Sequence, residues 1–296
     1  MTEPAVNSPV DSNDEARAET SASETETQTE TQTSDATSTS STLSEGAEMD
    51  ISLLTRLLGE RRGLALLALG AFITLFMLVA LAQGGAWVAC FGAMAIVYGV
   101  AFFGVAAEWF WGRWFAMGIA TSGLTMAAIG LVTNGFSGGL IVWGVMHAAI
   151  YLPLIGSDMA QRYELQKGWR ERWQLDDAGV ARIKRAVHSA ATALPTLIVY
   201  TLAPRPDRGM LLGVLALGVL GVVGLLRLRT WGVFALAGSA IGVAISTLSV
   251  PCCGATYAPL AGVAFPAASI GLLAALLLGC AVAPFAGPAF RFIRGR

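Results

Sequence analysis

Charge is what most of this chain lacks. No Asp, Glu, Lys or Arg occurs between Gly63 and Ala107, between Trp114 and Ser157, or between Thr230 and Phe290. Charged residues are 13% of the 296, against about 25% in soluble globular domains. Mean hydropathy is +0.63. A soluble globular fold is excluded, and the bulk of the chain belongs in lipid. Cysteine is also scarce. Four residues at scattered positions cannot build a disulfide framework. The first apolar run begins near Gly63, too late for a cleavable signal peptide, so the first membrane helix is expected to direct insertion. The chain has no HExxH, GxSxG or P-loop motif, and no GxGxxG in a strand–helix setting. It also lacks the carboxylate pair that intramembrane hydrolysis requires. Because no charge falls inside an apolar run, an ion-coupled transporter or pump is disfavoured. The expectation is of no catalytic residue, cofactor or nucleic-acid partner.

What the chain does contain divides at about residue 50. Residues 1–50 hold twelve acidic residues, nineteen Ser or Thr, one basic residue (Arg17) and no aromatic. Nothing there can be buried to offset an ordering cost of about 1–2 kcal/mol per residue. This segment reads as a disordered acidic tail, either a solvating leader or a docking and phosphorylation segment. Residues 51–296 carry eighteen basic and eight acidic residues, so tail and body are electrostatic opposites.

A helix needs roughly 20 apolar residues to cross about 30 Å of hydrocarbon. The charge-free runs break at Gln83-Gly84-Gly85 and at Thr133 to Gly139. The reading is an all-α, polytopic transmembrane helix bundle of about eight spans. They lie near 63–83, 86–106, 114–133, 139–156, 187–204, 209–226, 230–249 and 267–287. The apolar connection from Pro251 to Pro266 is expected to lie in the interface or to re-enter the membrane. With the N-terminus cytoplasmic, seventeen Lys or Arg fall inside and only Arg205 and Arg208 outside. That bias fixes both termini on the cytoplasmic side, as in a bacterial-type plasma membrane. Trp109, Trp111, Trp114, Trp169, Trp173 and Trp231 then fall on the inner interface. Arg113-Trp114 and Arg229-Thr230-Trp231 open the third and seventh helices alike, a faint sign of a duplicated four-helix unit in parallel orientation.

Few residues in the spans could carry chemistry. Trp143, His147 and Tyr151 share one face of the fourth helix, and His188, Thr192, Thr196 and Tyr200 one face of the fifth. Pro195 is expected to kink the fifth. Two such faces could line a cavity for a neutral or lipophilic ligand, or simply hydrogen-bond between helices. The two histidines are too different in depth to share one haem iron. Adjacent Cys252 and Cys253, with Cys90 as a third approach, offer a redox or soft-metal site or small packing residues. Gly238, Gly242 and Ser246 form a small-residue packing face on the seventh helix, with Gly218, Gly221 and Gly224 on the sixth. Glu108 is expected to pair with Arg113.

The loop 158–186 reads as an amphipathic cytoplasmic segment. Met159, Tyr163, Trp169 and Trp173 would face anionic headgroups, and a second helix would be capped by Asp176. A cytoplasmic protein or the acidic tail are the other partners it could take, while the small-residue face of the seventh helix could pack within the bundle or across a dimer. The function expected is a non-enzymatic membrane scaffold, assembly subunit or regulator. A carrier of a lipophilic solute is the alternative, and a membrane enzyme the third reading.

Overall fold

A computed structural model describes residues 40–85, 87–164, 167–173, 176–203, 209–249, 257–260 and 263–294, with side chains from Gly59 onward and not for every residue. The tail to residue 39 lies outside the described residues, as do Cys252 and Cys253. Ten helices and one hairpin follow in order: α1 (Ser40–Gln83), α2 (Trp87–Ala106), α3 (Gly112–Asn134), α4 (Gly138–Leu154), α5 (Ser157–Glu164), α6 (Lys167–Trp173), α7 (Asp177–Leu202), α8 (Gly209–Leu226), α9 (Thr230–Ser249), β1 (Tyr257–Leu260), β2 (Val263–Pro266) and α10 (Ala267–Ile293). α1 begins at Ser40, within the segment read as the tail.

Six of these helices are long and apolar enough to cross a membrane: Gly59–Gln83, Trp87–Ala106, Gly112–Asn134, Gly209–Leu226, Thr230–Ser249 and Ala268–Pro288. A seventh arises if α4 and α5, bent by 71° at Ile155-Gly156, make one span. The expected spans near 139–156 and 187–204 are α4 and α7. α4 has only 17 residues. α7 carries Thr192, Thr196, Tyr200 and Thr201, which lower its hydropathy, but lipid is not what surrounds it. Every residue from Ala190 to Thr201 is buried, and α2, α3, α8 and α10 pack around it. A helix sheathed in other helices can be polar where a lipid-facing one cannot. By contrast, α1, α2, α8 and α9 each leave a row of large apolar side chains exposed, such as Leu67, Ile96, Leu220 and Phe234.

Glycines make the corners. Gly84, Gly85, Gly135 and Gly156 all have positive φ, and Gly156 turns α4 into α5. Asp176 caps α7, accepting from the Gly179 N–H at 2.7 Å. α7 runs unbroken through Pro195, and the expected second loop helix is simply its first turns. The fold is all-α, with one short antiparallel hairpin in the 251–266 connection that pairs Tyr257 with Pro266 and Leu260 with Val263. Strand pairing satisfies backbone groups in a segment where Pro251, Pro259 and Pro266 disfavour a helix.

The duplication is much clearer in the turns than in the sequence. The α2–α3 turn is a Schellman motif, with the Trp109 N–H donating to Gly104 O (3.0 Å) and the Glu108 N–H to Val105 O (3.3 Å). The α8–α9 turn repeats it 120 positions later: Arg229 donates to Gly224 O (2.8 Å) and Leu228 to Leu225 O (3.0 Å). The left-handed position is a non-glycine in both, Glu108 at φ 53 and Leu228 at φ 55. Gly112 and Gly232 then donate to Trp109 O and Arg229 O. Backbones touch at both crossings. A Cβ on Gly112 would lie 2.2 Å from Gly104 O, and one on Gly232 would lie 2.7 Å from the Gly224 carbonyl carbon. The register is therefore Trp111 with Trp231, three residues from the Trp114–Trp231 pairing that the helix starts suggested. In this register α1, α2 and α3 correspond to α7, α8 and α9, while α4 falls on the hairpin and the first turns of α10.

Candidate functional site

His147 is the only imidazole in the middle of an expected span, and it is fully buried. Its Nδ1 lies 2.8 Å from Trp143 O. A carbonyl only accepts, so Nδ1 carries the proton, and Nε2 accepts from the Tyr98 hydroxyl at 2.7 Å. Both ring nitrogens of a neutral imidazole are thereby engaged, and neither is free to bind a metal. The ring is packed by Phe72 and Trp143 at centroid distances of 4.3 and 4.7 Å. Phe76 and Tyr98 extend the cluster. On the remaining side is Gly123, where a Cβ would fall 1.9 Å from the imidazole Cδ2. The Trp143 indole donates to Gly123 O at 3.2 Å. The sequence missed Phe72, Tyr98 and Gly123, because they come from three other helices.

α3 packs against both α4 and α7, and the two faces expected to share a cavity come together only at a small one. Thr192 donates to Gly118 O on α3 at 3.0 Å as well as to His188 O. Thr196 turns back to Ala193 O at 2.9 Å. Tyr200 points away from His147, toward α9, where Ser246 lies 3.0 Å off and Thr247 donates to it at 3.0 Å. Tyr151 stays half-buried. A small cavity does lie between Tyr98, Gly123, Trp143, Pro195 and Thr196, with a volume of about 20 Å³. That is room for about one water.

The small-residue face on α9 divides its contacts. Gly242 abuts Val214 of α8, where a Cβ would come within 2.7 Å, while Gly238 has ordinary clearance. Ser246 serves Tyr200. Cys90 is buried and Cys280 exposed. Among the described residues no three His, Cys, Asp or Glu side chains converge as a metal site would require.

The densest polar constellation is at the Arg-rich end. α5 folds back beneath α2 and α3, burying Met159 and Tyr163 completely. Its apolar face meets protein, not headgroups as expected, because the bend at Gly156 points it inward. The Tyr163 hydroxyl donates to Val105 O at 2.9 Å. Burial pushes that phenol up to about 12, so it stays a donor. Glu164 accepts from Arg113 Nη1 (2.7 Å), the Trp114 indole (2.8 Å) and Lys184 Nζ (3.1 Å). Arg113 also donates from Nε to Leu154 O at 2.8 Å. Glu108 pairs with Arg62 and, at 2.6 Å, with Arg162, not with Arg113. Its left-handed backbone aims it at α1 and α5 instead. Trp169 of α6 stacks on Phe110 at 4.4 Å. These carboxylates and cations are matched to one another, which is the chemistry of a clamp rather than of an acid–base pair.

Two apolar grooves lie on the outside of the helix bundle. One, of about 270 Å³, runs between α2, α3, α7 and α8. The other, of about 560 Å³, lies beside the start of α9. The chain matches no protein-family model, no curated protein and no solved structure.

Proposed function

We propose that this integral multi-pass membrane protein is a non-enzymatic scaffold or regulatory subunit. It spans the bilayer eight times, as two four-helix units in parallel orientation. The observation that carries this is the closure of its interior. His147 has no free nitrogen, and the cavity at Thr196 holds about 20 Å³. The larger space, the groove of about 560 Å³ beside α9, is lined almost wholly by apolar side chains and offers a carrier or an enzyme few groups for chemistry. Eight spans are supported by the matching of α7, buried on all sides from Ala190 to Thr201, to α1 in the register of the two turns. An even number also keeps the basic end of α10 on the side of Arg61, Arg113 and Lys184, which the positive-inside bias makes cytoplasmic. On that face the acidic tail and the exposed basic residues are left to engage cytoplasmic proteins, a second copy, or each other.

The test uses photo-crosslinking residues placed at Glu26 and Glu171 in native membranes, alongside solute uptake by reconstituted protein. A discrete protein adduct is expected from each position, and the one at Glu171 should disappear on deletion of residues 1–39 with membrane insertion intact. Saturable uptake or turnover that is lost in His147→Ala would overturn the scaffold reading in favour of the carrier or the enzyme.

A further inference from the structure

We propose that the groove at the start of α9 holds an acyl chain of an anionic phospholipid, with the headgroup at Arg229. The argument begins from the duplicated turns. In the first unit, Val105, Phe110, Arg113 and Trp114 form a surface that the chain itself covers. Tyr163 bonds Val105 O, Trp169 stacks on Phe110, and Glu164 takes Arg113 and Trp114. The residues 120 positions later are Leu225, Thr230, Val233 and Phe234, and all four line the groove of about 560 Å³. Here nothing among the described residues plays the part of α5. At Gly156 the first unit turns from α4 into α5, whereas α10 is a single helix to Ile293. The consequence is visible in exposure: Trp114 is 1% exposed and its counterpart Phe234 is 73% exposed.

The chemistry of the lining selects the occupant. Arg113 and Trp114, the two donors that hold a carboxylate in the first unit, are replaced by Val233 and Phe234, which donate nothing. Ile183, Ala237, Val282, Phe285 and Pro288 complete an apolar trough. A polar helix such as α5 would strand its carboxylate there; a hydrocarbon chain would not. The volume lies within the roughly 300–1,000 Å³ typical of small-molecule sites. The mouth is cationic. Arg229 lines it and Arg227 lies two residues away. Both are exposed, and neither has a carboxylate within ion-pair distance among the described residues. A groove with a hydrocarbon floor and an unneutralised arginine at its rim is complementary to an anionic lipid.

The experiment is native mass spectrometry of the delipidated full chain, titrated with phosphatidylglycerol and, separately, phosphatidylcholine. One phosphatidylglycerol should bind about fivefold more tightly than phosphatidylcholine, the factor for one near-surface arginine. Arg229→Gln should remove the preference while leaving some binding, and Ala237→Trp should fill the trough and remove both. Unchanged phosphatidylglycerol affinity in Arg229→Gln overturns the proposal, whether or not Ala237→Trp folds. A photo-crosslinking p-benzoylphenylalanine in place of Phe234, in native membranes, should give lipid adducts. Adducts to a second copy, to residues 1–58 of this chain, or to another protein would assign the groove to that occupant and overturn the lipid.

Discussion

Replacing Glu164 by Ala should be among the most damaging single changes at the Arg-rich end. Its carboxylate is 15% exposed and answers Arg113, whose side chain is 6% exposed. It also takes the Trp114 indole and Lys184. Removing one partner of a buried pair leaves the other charge uncompensated, at about 3–5 kcal/mol. Arg113 keeps its bond to Leu154 O, which places the expected loss near the lower end, about 3 kcal/mol. At roughly 2–4 °C per kcal/mol for a domain of this size, the midpoint should fall by about 6–12 °C. Thermal unfolding of the purified protein in detergent reads this directly. Arg113→Met with Glu164→Met should lose less than Glu164→Ala alone, because no unpaired charge remains. A Glu164→Ala midpoint within about 2 °C of wild type would refute the clamp. So would strict additivity of the Arg113 and Glu164 substitutions.

Gly123→Ala should cost about 1–3 kcal/mol, since the new methyl meets the His147 ring; adding His147→Ala should recover part of that loss in the same assay, and strictly additive losses would show that the ring and the methyl do not meet. Gly112→Ala and Gly232→Ala should each destabilise by a similar amount, because both crossings bring backbone to backbone. Disparate effects at the two sites would argue against equivalent turns.

How much of this could be read from the sequence depended on how local the cause was. The apolar runs, the glycine breaks and the Asp176 cap are written in contiguous residues, and the helices follow them. The basic bias marks one end as distinct, and the ion pairs cluster there. Side-chain partnerships were less legible. Glu108 was assigned to nearby Arg113, but its backbone turns it toward Arg62 and Arg162, residues that come close only after folding. Met159 and Tyr163 have the periodicity of a membrane-surface helix. The same periodicity serves a helix docked on protein, and only the bend at Gly156 decides between them. Trp143, His147, Thr192 and Thr196 stand out as polar or aromatic in apolar helices. The packing of α3 against both α4 and α7, which leaves only a small cavity between Trp143 and Thr196, had no signature in either helix. The duplicated turn was misregistered because Arg-Trp pairs drew attention away from the quieter Gly104–Trp111–Gly112 and Gly224–Trp231–Gly232 spacing.

The central claim is that α7 crosses the membrane, making two parallel units of four spans. Single cysteines at Glu171 and Arg208, in a background without Cys90, Cys252, Cys253 and Cys280, decide it through labelling of intact cells with a membrane-impermeant maleimide. The account predicts labelling at residue 208 and protection at residue 171 until the membrane is opened. Labelling of both, or protection of both, would put the two ends of α7 on one side and contradict it.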